Sequence, residues 1–181
     1  MPAKHNLYDK LFYLLLITIS ALVVFFPPNN LFSYDVFGYY MYLPFTFKYQ
    51  DLTLQHFSVL ENILHKYQAS ETFYQAVKWY NGSWVMRYPL GLSLLFSPLY
   101  FLGELLAMIT NNPTDGFSRP YQISVLYGCL LYTLLGLHFL RQILQRYFDP
   151  LVVFLTLLGI TFGTNYLFHT SVHGQGAMSH N

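Results

Sequence analysis

The sequence predicts an all-α integral membrane protein with about three transmembrane helices and a large outer loop that contains amphipathic and re-entrant helices. Two observations lead to this class. Of the 181 residues, 54% are hydrophobic and only 9% are charged, whereas soluble domains carry roughly 25% charged residues. In addition, four apolar stretches approach the length of about 20 residues that a helix needs to cross a bilayer. Residues 1–181 are therefore interpreted as a single membrane domain.

The same composition excludes several other classes of protein. Nine basic and eight acidic residues leave a formal net charge of +1, so nucleic acid is not expected as a partner. The positive mean hydropathy of +0.35 argues against a disordered chain. A single cysteine, Cys129, excludes a disulfide framework and a cysteine-rich metal site. The sequence also contains no dinucleotide-binding fingerprint.

The first predicted transmembrane helix covers residues 11–27. It ends at Pro27 and Pro28, because proline lacks the N–H that the next helical turn requires. Lys4 and Lys10 precede the helix, which favours a cytoplasmic N-terminus by the positive-inside tendency. No small-residue cleavage site follows the apolar run, so an uncleaved anchor is favoured over a signal peptide. The predicted location is the cytoplasmic (inner) membrane.

The basic residues decide which of the later apolar stretches cross. Residues 121–140 and 150–168 are predicted transmembrane helices, joined by a link with Arg141 and Arg146 that is expected in the cytoplasm. Tyr88–Thr110 is predicted to be re-entrant or to lie on the membrane surface, because a third crossing before the link would put it outside. This stretch also contains two prolines and an acid, which is costly at membrane depth. Four crossings with an inverted charge distribution are the alternative.

Residues 28–120 form the predicted outer loop, which is too apolar to be a flexible linker. Tyrosines and phenylalanines crowd residues 39–49, and such rings suit the level of the lipid headgroups. Residues 57–67 have apolar side chains at three- and four-residue steps, which predicts an amphipathic helix. Its apolar face is expected to pack on other helices or to lie on the bilayer. A second outer loop is expected to begin at residues 169–181.

Asp35 is the candidate catalytic residue. It follows the first apolar helix among apolar and aromatic neighbours, where a carboxylate is expected to be paired, metal-bound or proton-exchanging. Near the outer membrane surface, it could accept a proton from an acceptor hydroxyl as a general base. The alternative is that Asp35 N-caps the tyrosine-rich segment, a position that aspartate favours.

Arginines and histidines are the candidate substrate-binding residues. Arg87, followed by Tyr88, and Arg119 each lie just outside an apolar segment. There a guanidinium can hold phosphate through paired hydrogen bonds or extend towards the membrane surface. The uncharged C-terminal stretch contains His173 and His180. Hydrogen bonding to a ligand is favoured there over metal ligation, because no carboxylate or thiolate lies nearby.

In this order, these features resemble the GT-C class of integral-membrane glycosyltransferases, which includes protein O-mannosyltransferases and lipid A aminoarabinose transferases. The resemblance rests on a cytoplasmic N-terminus, an outer loop that begins with Asp35 and tyrosines, and a Tyr-Pro-x-Gly motif that begins at Tyr88. An arginine, Arg119, precedes the next helix. The chain departs from many relatives at Val36, where they have glutamate, and at Leu90, where several have a second proline.

The resemblance implies a sugar donor carried on a polyprenyl phosphate, an acceptor of unknown identity, and membrane lipids as partners. It implies that Asp35 acts at the acceptor, as a base or through a bound divalent metal, and that Arg119 or Arg87 holds the donor phosphate. Because relatives have more helices, the chain is expected to be the N-terminal portion of a longer enzyme. The alternatives are a transporter or channel segment, in which Glu104 and His138 line a polar path, and a non-catalytic membrane assembly subunit.

Overall fold

The computed structural model describes residues 2–28, 30–80 and 82–167, with side chains from residue 7 onwards. Of the described residues, 66% are in helices and 4% in strands. It divides into two compact units, one containing residues 30–128 and the other formed by the chain on either side of this range. The elements in chain order are α1 (Pro2–Phe25), α2 (Tyr34–Tyr40), α3 (Tyr42–Phe47), α4 (Phe57–Tyr67), β1 (Ala76–Lys78), β2 (Trp84–Met86), α5 (Leu90–Ile109), α6 (Arg119–Leu144) and α7 (Pro150–Gly163).

Within the described ranges, three helices are long and apolar enough to cross a membrane: α1 from Leu7, α5 and α6. The 20 residues of α5 measure about 30 Å, close to the thickness of the hydrocarbon core. A re-entrant segment needs a break, and α5 has none, so a surface-lying helix and a full crossing are the two arrangements that fit it. α7 has 14 residues and measures about 21 Å, which is shorter than the crossing predicted over residues 150–168.

Pro98 lies inside α5 without interrupting it. Proline cannot donate to the carbonyl four residues earlier, which belongs to Leu94. The hydroxyl of Ser97 donates to this carbonyl at 2.8 Å and so replaces the lost backbone bond. This hydrogen bond from a neighbouring side chain explains why α5 tolerates Pro98. The same proline had counted against a regular helix over Tyr88–Thr110.

In the unit formed by α1, the C-terminal part of α6 and α7, an ion pair joins two helix ends. Arg141, near the end of α6, donates to the carboxylate of Asp9, near the start of α1. The Arg141 side chain is only 12% exposed, and its guanidinium carbon lies 4.7 Å from the centroid of the Phe12 ring. α7 packs on α1, with Tyr8 and Phe154 in ring contact at 6.3 Å. The N-terminal end of α1 therefore lies beside the C-terminal end of α6.

The unit of residues 30–128 has an aromatic core. Phe32 stacks on Tyr40 with ring centroids 3.7 Å apart, and both rings are fully buried. Phe117 contacts the same rings edge-on. The sequence had placed the tyrosines of residues 39–49 at the headgroup level, whereas Tyr39 and Tyr40 are buried inside this unit. They are buried because α2 and α3 pack along α5.

The amphipathic helix predicted over residues 57–67 is confirmed as α4. Its apolar face packs within the protein and buries Leu60 and Ile63. Before the helix, the buried carboxylate of Asp51 accepts the backbone N–H groups of Gln55 at 2.9 Å and His56 at 2.8 Å. These bonds fix the turn that leads into α4.

Candidate functional site

The carboxylate of Asp35 is held by two tyrosines that are distant in sequence. The Tyr74 hydroxyl donates to Oδ1 at 2.6 Å, and the Tyr88 hydroxyl donates to the same oxygen. In the part of the chain that the structure describes, no group hydrogen-bonds to Oδ2, and Asp35 is half-buried. One carboxylate oxygen is therefore fixed by the protein, while the other is left to accept a hydrogen bond from a ligand.

The alternative interpretation of Asp35 as an N-cap is wrong. α2 begins at Tyr34 with Ser33 as its N-cap residue, so Asp35 is the second residue of the helix. Its hydrogen bonds go to tyrosine hydroxyls instead. The Asp35 carboxylate therefore hydrogen-bonds to two residues that are distant in sequence and does not cap α2.

A short hairpin places the two tyrosines side by side. β1 and β2 pair antiparallel with Val77 opposite Val85. The backbone N–H of Arg87 donates to the carbonyl of Gln75 at 2.9 Å, which extends the pairing beyond the strands. Tyr74 directly precedes Gln75, and Tyr88 directly follows Arg87. The two hydroxyls can therefore reach one carboxylate.

Gly38 makes room for the ring of Tyr88. A Cβ at position 38 would overlap the Tyr88 ring and lie 3.1 Å from the Gln75 side chain. Gly38 is in α2, one turn after Asp35. Because Gly38 has no side chain, the Tyr88 ring can pack against α2 at this position while its hydroxyl reaches the Asp35 carboxylate. The ring of Tyr39 also contacts the Tyr88 ring edge-on, with centroids 4.6 Å apart.

We expect Gly38→Ala to destabilise the protein by about 1–3 kcal/mol, because the Tyr88 ring cannot yield without leaving Asp35. Gly159→Ala is the matched control. Gly159 lies inside α7, and nothing lies within 4 Å of an added Cβ, so alanine there should be neutral or stabilising by about 0.5–1 kcal/mol. Thermal unfolding of both variants in lipid nanodiscs measures the difference. Equal melting temperatures would contradict the close approach at Gly38.

Both tyrosines remain hydrogen-bond donors at neutral pH. Burial, together with the hydrogen bond to Asp35 and its charge, raises the pKa of Tyr74 to about 12. The same causes, in the same order, raise the pKa of Tyr88 well above its ordinary value. Neither phenol loses its proton near pH 7, so Oδ1 of Asp35 has two donors throughout the physiological range.

The structure brings together only part of the predicted substrate-binding set. Tyr88 contacts Asp35, and Arg87 precedes it with an exposed side chain. Arg119 is the exposed first residue of α6. Neither guanidinium forms an ion pair with any described residue, so both charges are available to an anion. The predicted residues His173 and His180 lie outside the described residues.

Asp115 is the centre of a second hydrogen-bonded cluster, which the sequence did not predict. Its Oδ1 accepts the backbone N–H groups of Phe117 and Ser118, each at 3.0 Å. Its Oδ2 accepts a hydrogen bond from Lys66 Nζ at 2.8 Å and another from the Tyr67 hydroxyl. Both oxygens of this carboxylate accept hydrogen bonds within the protein. Asp115 therefore anchors the loop between α5 and α6 and is not suited to act as a general base.

Glu104 and His138, the residues of the transporter alternative, each have local partners. Glu104 accepts a hydrogen bond from the Tyr121 hydroxyl of α6. A Cβ at the neighbouring Gly103 would lie 2.8 Å from the Tyr121 Cα, which shows how closely the two helices approach. His138 hydrogen-bonds to Gln142 on its own helix at 2.8 Å.

The described residues do not assemble a metal site around Asp35. Across residues 7–167, apart from the undescribed positions 29 and 81, no three His, Cys, Asp or Glu side chains are grouped as ligands. Oδ1 of Asp35 is also occupied by two O–H donors, which leaves one oxygen as a ligand. A divalent metal needs several such oxygen ligands, so the described residues around Asp35 do not fit one.

Comparison with protein-family models, curated proteins and solved structures gives no significant match to this chain. The resemblance to GT-C transferases therefore rests on the residues quoted above. The chemistry of the site can be stated from its geometry alone. It offers a carboxylate oxygen that can take a proton, held beside two fixed hydroxyl donors and close in sequence to an unpaired guanidinium.

Proposed function

We propose that the protein is a membrane glycosyltransferase that moves a sugar from a polyprenyl-phosphate-linked donor to an acceptor at the outer face of the cytoplasmic membrane. The observation that supports this most strongly is Asp35, with Oδ1 held by Tyr74 and Tyr88 and Oδ2 without a described partner. A carboxylate restrained at one oxygen is suited to general-base catalysis at the other.

In the proposed reaction, Asp35 Oδ2 accepts the proton of an acceptor hydroxyl. The acceptor oxygen forms a bond to the anomeric carbon of the donor sugar. The bond between that carbon and the phosphate oxygen breaks, and polyprenyl phosphate leaves with the electron pair. Negative charge grows on the departing phosphate, where a positive group lowers the barrier.

Arg87 is the better placed of the two arginines to stabilise the departing phosphate. It is exposed and lies next to Tyr88, whose hydroxyl contacts Asp35. Arg119 is also exposed, but its nearest sequence neighbours belong to the loop that Asp115 anchors. A guanidinium remains charged at all relevant pH values and can bind phosphate through two parallel hydrogen bonds.

The ion pair between Asp9 and Arg141 supports the order of crossings that the charges predict. It holds the start of α1 beside the end of α6, so both ends belong at one membrane face. The chain between them must then cross an even number of times. With α1 and α6 as the two crossings, the proposal assigns α5 to the membrane surface. With the cytoplasmic N-terminus that Lys4 and Lys10 favour, it assigns residues 28–120 to the outer side.

Cysteine labelling tests this order of crossings. We expect Asn112→Cys, in the exposed turn after α5, to react with a membrane-impermeant maleimide added outside right-side-out vesicles. Gln145→Cys, in the basic link after α6, should react only after permeabilisation. Replacing the single native cysteine, Cys129, which is buried, with alanine provides the background. Labelling of Asn112→Cys only after permeabilisation would mean that α5 crosses, as the transporter alternative requires.

The test of the enzymatic proposal is transfer of a labelled sugar from a polyprenyl-phosphate donor, compared between the wild type and Asp35 variants. A transporter or an assembly subunit would give no transfer. Neither alternative needs an unpartnered carboxylate oxygen beside two tyrosines, so the glycosyltransferase accounts for more of the described geometry.

A further inference from the structure

A cleft of about 430 Å³ opens between the start of α2 and the end of α4. It belongs to the same compact unit as Asp35 and is bounded by the residue that precedes it. The lining consists of three polar side chains, one acid, one aliphatic side chain and one tyrosine: His65, Gln68, Ser70, Glu71, Leu64 and Tyr34.

Two lining residues have a left-handed backbone. Gln68, with φ +48°, is the C-cap of α4, where this conformation commonly ends a helix. Tyr34 has φ +50°, which residues other than glycine rarely adopt, and it is held there because its N–H donates to the carbonyl of Ala69 at 2.7 Å and Gln75 donates to its carbonyl at 3.0 Å. Strain of this kind persists where the surrounding structure enforces it, often at ligand sites.

The ring of Tyr34 lines the cleft, and the residue is 49% exposed. His65, Gln68 and Glu71 add an imidazole, an amide and a carboxylate, and these side chains have no hydrogen-bond partner among the described residues. Together they provide both donors and acceptors. The lining contains no Lys or Arg, and Glu71 would repel an anion, so the chemistry disfavours phosphate.

The cleft is connected to the candidate base. Tyr34 lines the cleft and directly precedes Asp35 in α2. Tyr74 donates to Asp35 Oδ1. A ligand in the cleft would therefore contact the residue next to the one whose carboxylate the proposed reaction uses.

We propose that this cleft is an acceptor subsite that binds a neutral pyranose sugar, with the ring of Tyr34 against one sugar face and Gln68 and Glu71 on its hydroxyls. This inference rests on the proposed function, because it assigns the acceptor of that reaction. An aromatic face combined with a few directed polar groups is how a small site orients a ligand that is apolar on its faces and polar at its edges.

Saturation-transfer NMR with methyl β-D-glucopyranoside tests the subsite on the full chain in sugar-free lipid nanodiscs. We expect saturation transfer to the ring protons of the glycoside in the wild type. Glu71→Gln and Tyr34→Ala should each weaken binding about tenfold, as expected for the loss of one hydrogen bond to a charged group or one packed ring. Tyr34→Phe should retain most of the binding, since it keeps the ring and the fold.

Matched controls are Glu61→Gln, an exposed acid of α4, and Tyr80→Ala, a tyrosine that is 97% exposed. Both should bind the glycoside as the wild type does. No saturation transfer to the wild type, equal binding in all variants, or displacement of the glycoside by inorganic phosphate would overturn the subsite.

Asp35→Asn separates this inference from the proposed function. This variant should still bind the glycoside through Tyr34 and Glu71 and yet fail in transfer. Glycoside binding that depends on Tyr34 and Glu71, combined with no transfer by the wild type from any lipid-linked donor, would leave the subsite standing and contradict the enzyme. Sugar transfer that depends on Asp35, combined with no binding of the glycoside, would support the enzyme and contradict the subsite.

Discussion

Asp35→Asn is expected to lower sugar transfer by about 10²–10⁴-fold, the usual contribution of a general base. Asparagine has the size of aspartate but cannot accept the proton of the acceptor hydroxyl. The loss should appear mainly in kcat, because the proton moves in the transition state and the donor is bound elsewhere. The measurement is transfer of radiolabelled sugar from a polyprenyl-phosphate donor in reconstituted vesicles.

The asparagine variant should keep its fold, which makes the result interpretable. The amide oxygen of asparagine can still accept hydrogen bonds from Tyr74 and Tyr88, so the melting temperature should be close to that of the wild type. Tyr74→Phe removes one restraint on Oδ1 and should reduce transfer by only about tenfold, a loss of about 1.4 kcal/mol that is typical of a single hydrogen bond. Glu61→Gln is the exposed control. Full turnover by Asp35→Asn would show that this carboxylate is not the base.

Asp115→Ala is expected to destabilise the protein by about 2–4 kcal/mol, the second largest effect. The substitution removes the acceptor of two backbone N–H groups, at Phe117 and Ser118, and of the Tyr67 hydroxyl. Buried donors left unsatisfied are costly. The Lys66 side chain is 56% exposed, so its charge contributes little of the total. A fall of about 5–15 °C in melting temperature is expected for a domain of this size.

The contribution of Asp115 depends on pH with a defined sign. Burial alone would raise the pKa of the Asp115 carboxyl, but hydrogen bonds from Lys66, Tyr67 and the Phe117 N–H outweigh it and lower the pKa. The folded state therefore binds protons less readily than the unfolded state. The stabilisation is fully present above the unfolded pKa of about 3.9 and is lost as pH falls through the lower folded pKa.

The stabilities of the wild type and Asp115→Ala should accordingly begin to converge as pH falls below about 4, and should converge further as pH falls through the lower pKa of the folded state. Melting temperatures measured between pH 7 and pH 3 provide the comparison, with Glu61→Gln as a control whose difference from the wild type stays near zero. A constant gap between the wild type and Asp115→Ala across this range would show that the charge of Asp115 is not what anchors the loop.

The positions of the helices could be predicted from the sequence because they depend on local periodicity. Apolar steps of three and four residues predicted α4, and long uncharged stretches predicted α1 and α6. The prolines of Tyr88–Thr110 suggested an irregular segment, whereas α5 is continuous because Ser97 compensates for Pro98. This compensation depends on one hydroxyl in the right rotamer, which a pattern of residue types does not reveal.

The chemical character of Asp35 could be predicted, but its partners could not. An acid among aromatic residues after an apolar helix implies a partner, yet Tyr74 and Tyr88 lie 39 and 53 residues away. The hairpin that brings them together has strands of three residues, too short to show a period of two. Gly38, which lets the Tyr88 ring reach the carboxylate, carries no sequence signal beyond being a glycine in a helix.

Asp115 was missed for a similar reason. It lies in a loop with Pro113 and Gly116, a composition that predicts a turn and nothing about an anchor. Its side-chain partners, Lys66 and Tyr67, are 49 and 48 residues away at the end of α4. Contacts between a loop and a distant helix end follow from tertiary packing, and no local pattern in the sequence encodes them.

The most direct test of the central proposal is a comparison of donors in right-side-out vesicles that contain the wild-type protein. We expect labelled sugar to be transferred from a polyprenyl-phosphate donor in the outer leaflet to an acceptor outside, and not from a nucleotide-linked sugar. This transfer should depend on Asp35. Absence of transfer from every lipid-linked donor by the wild-type protein, or equal transfer by Asp35→Asn, would contradict it.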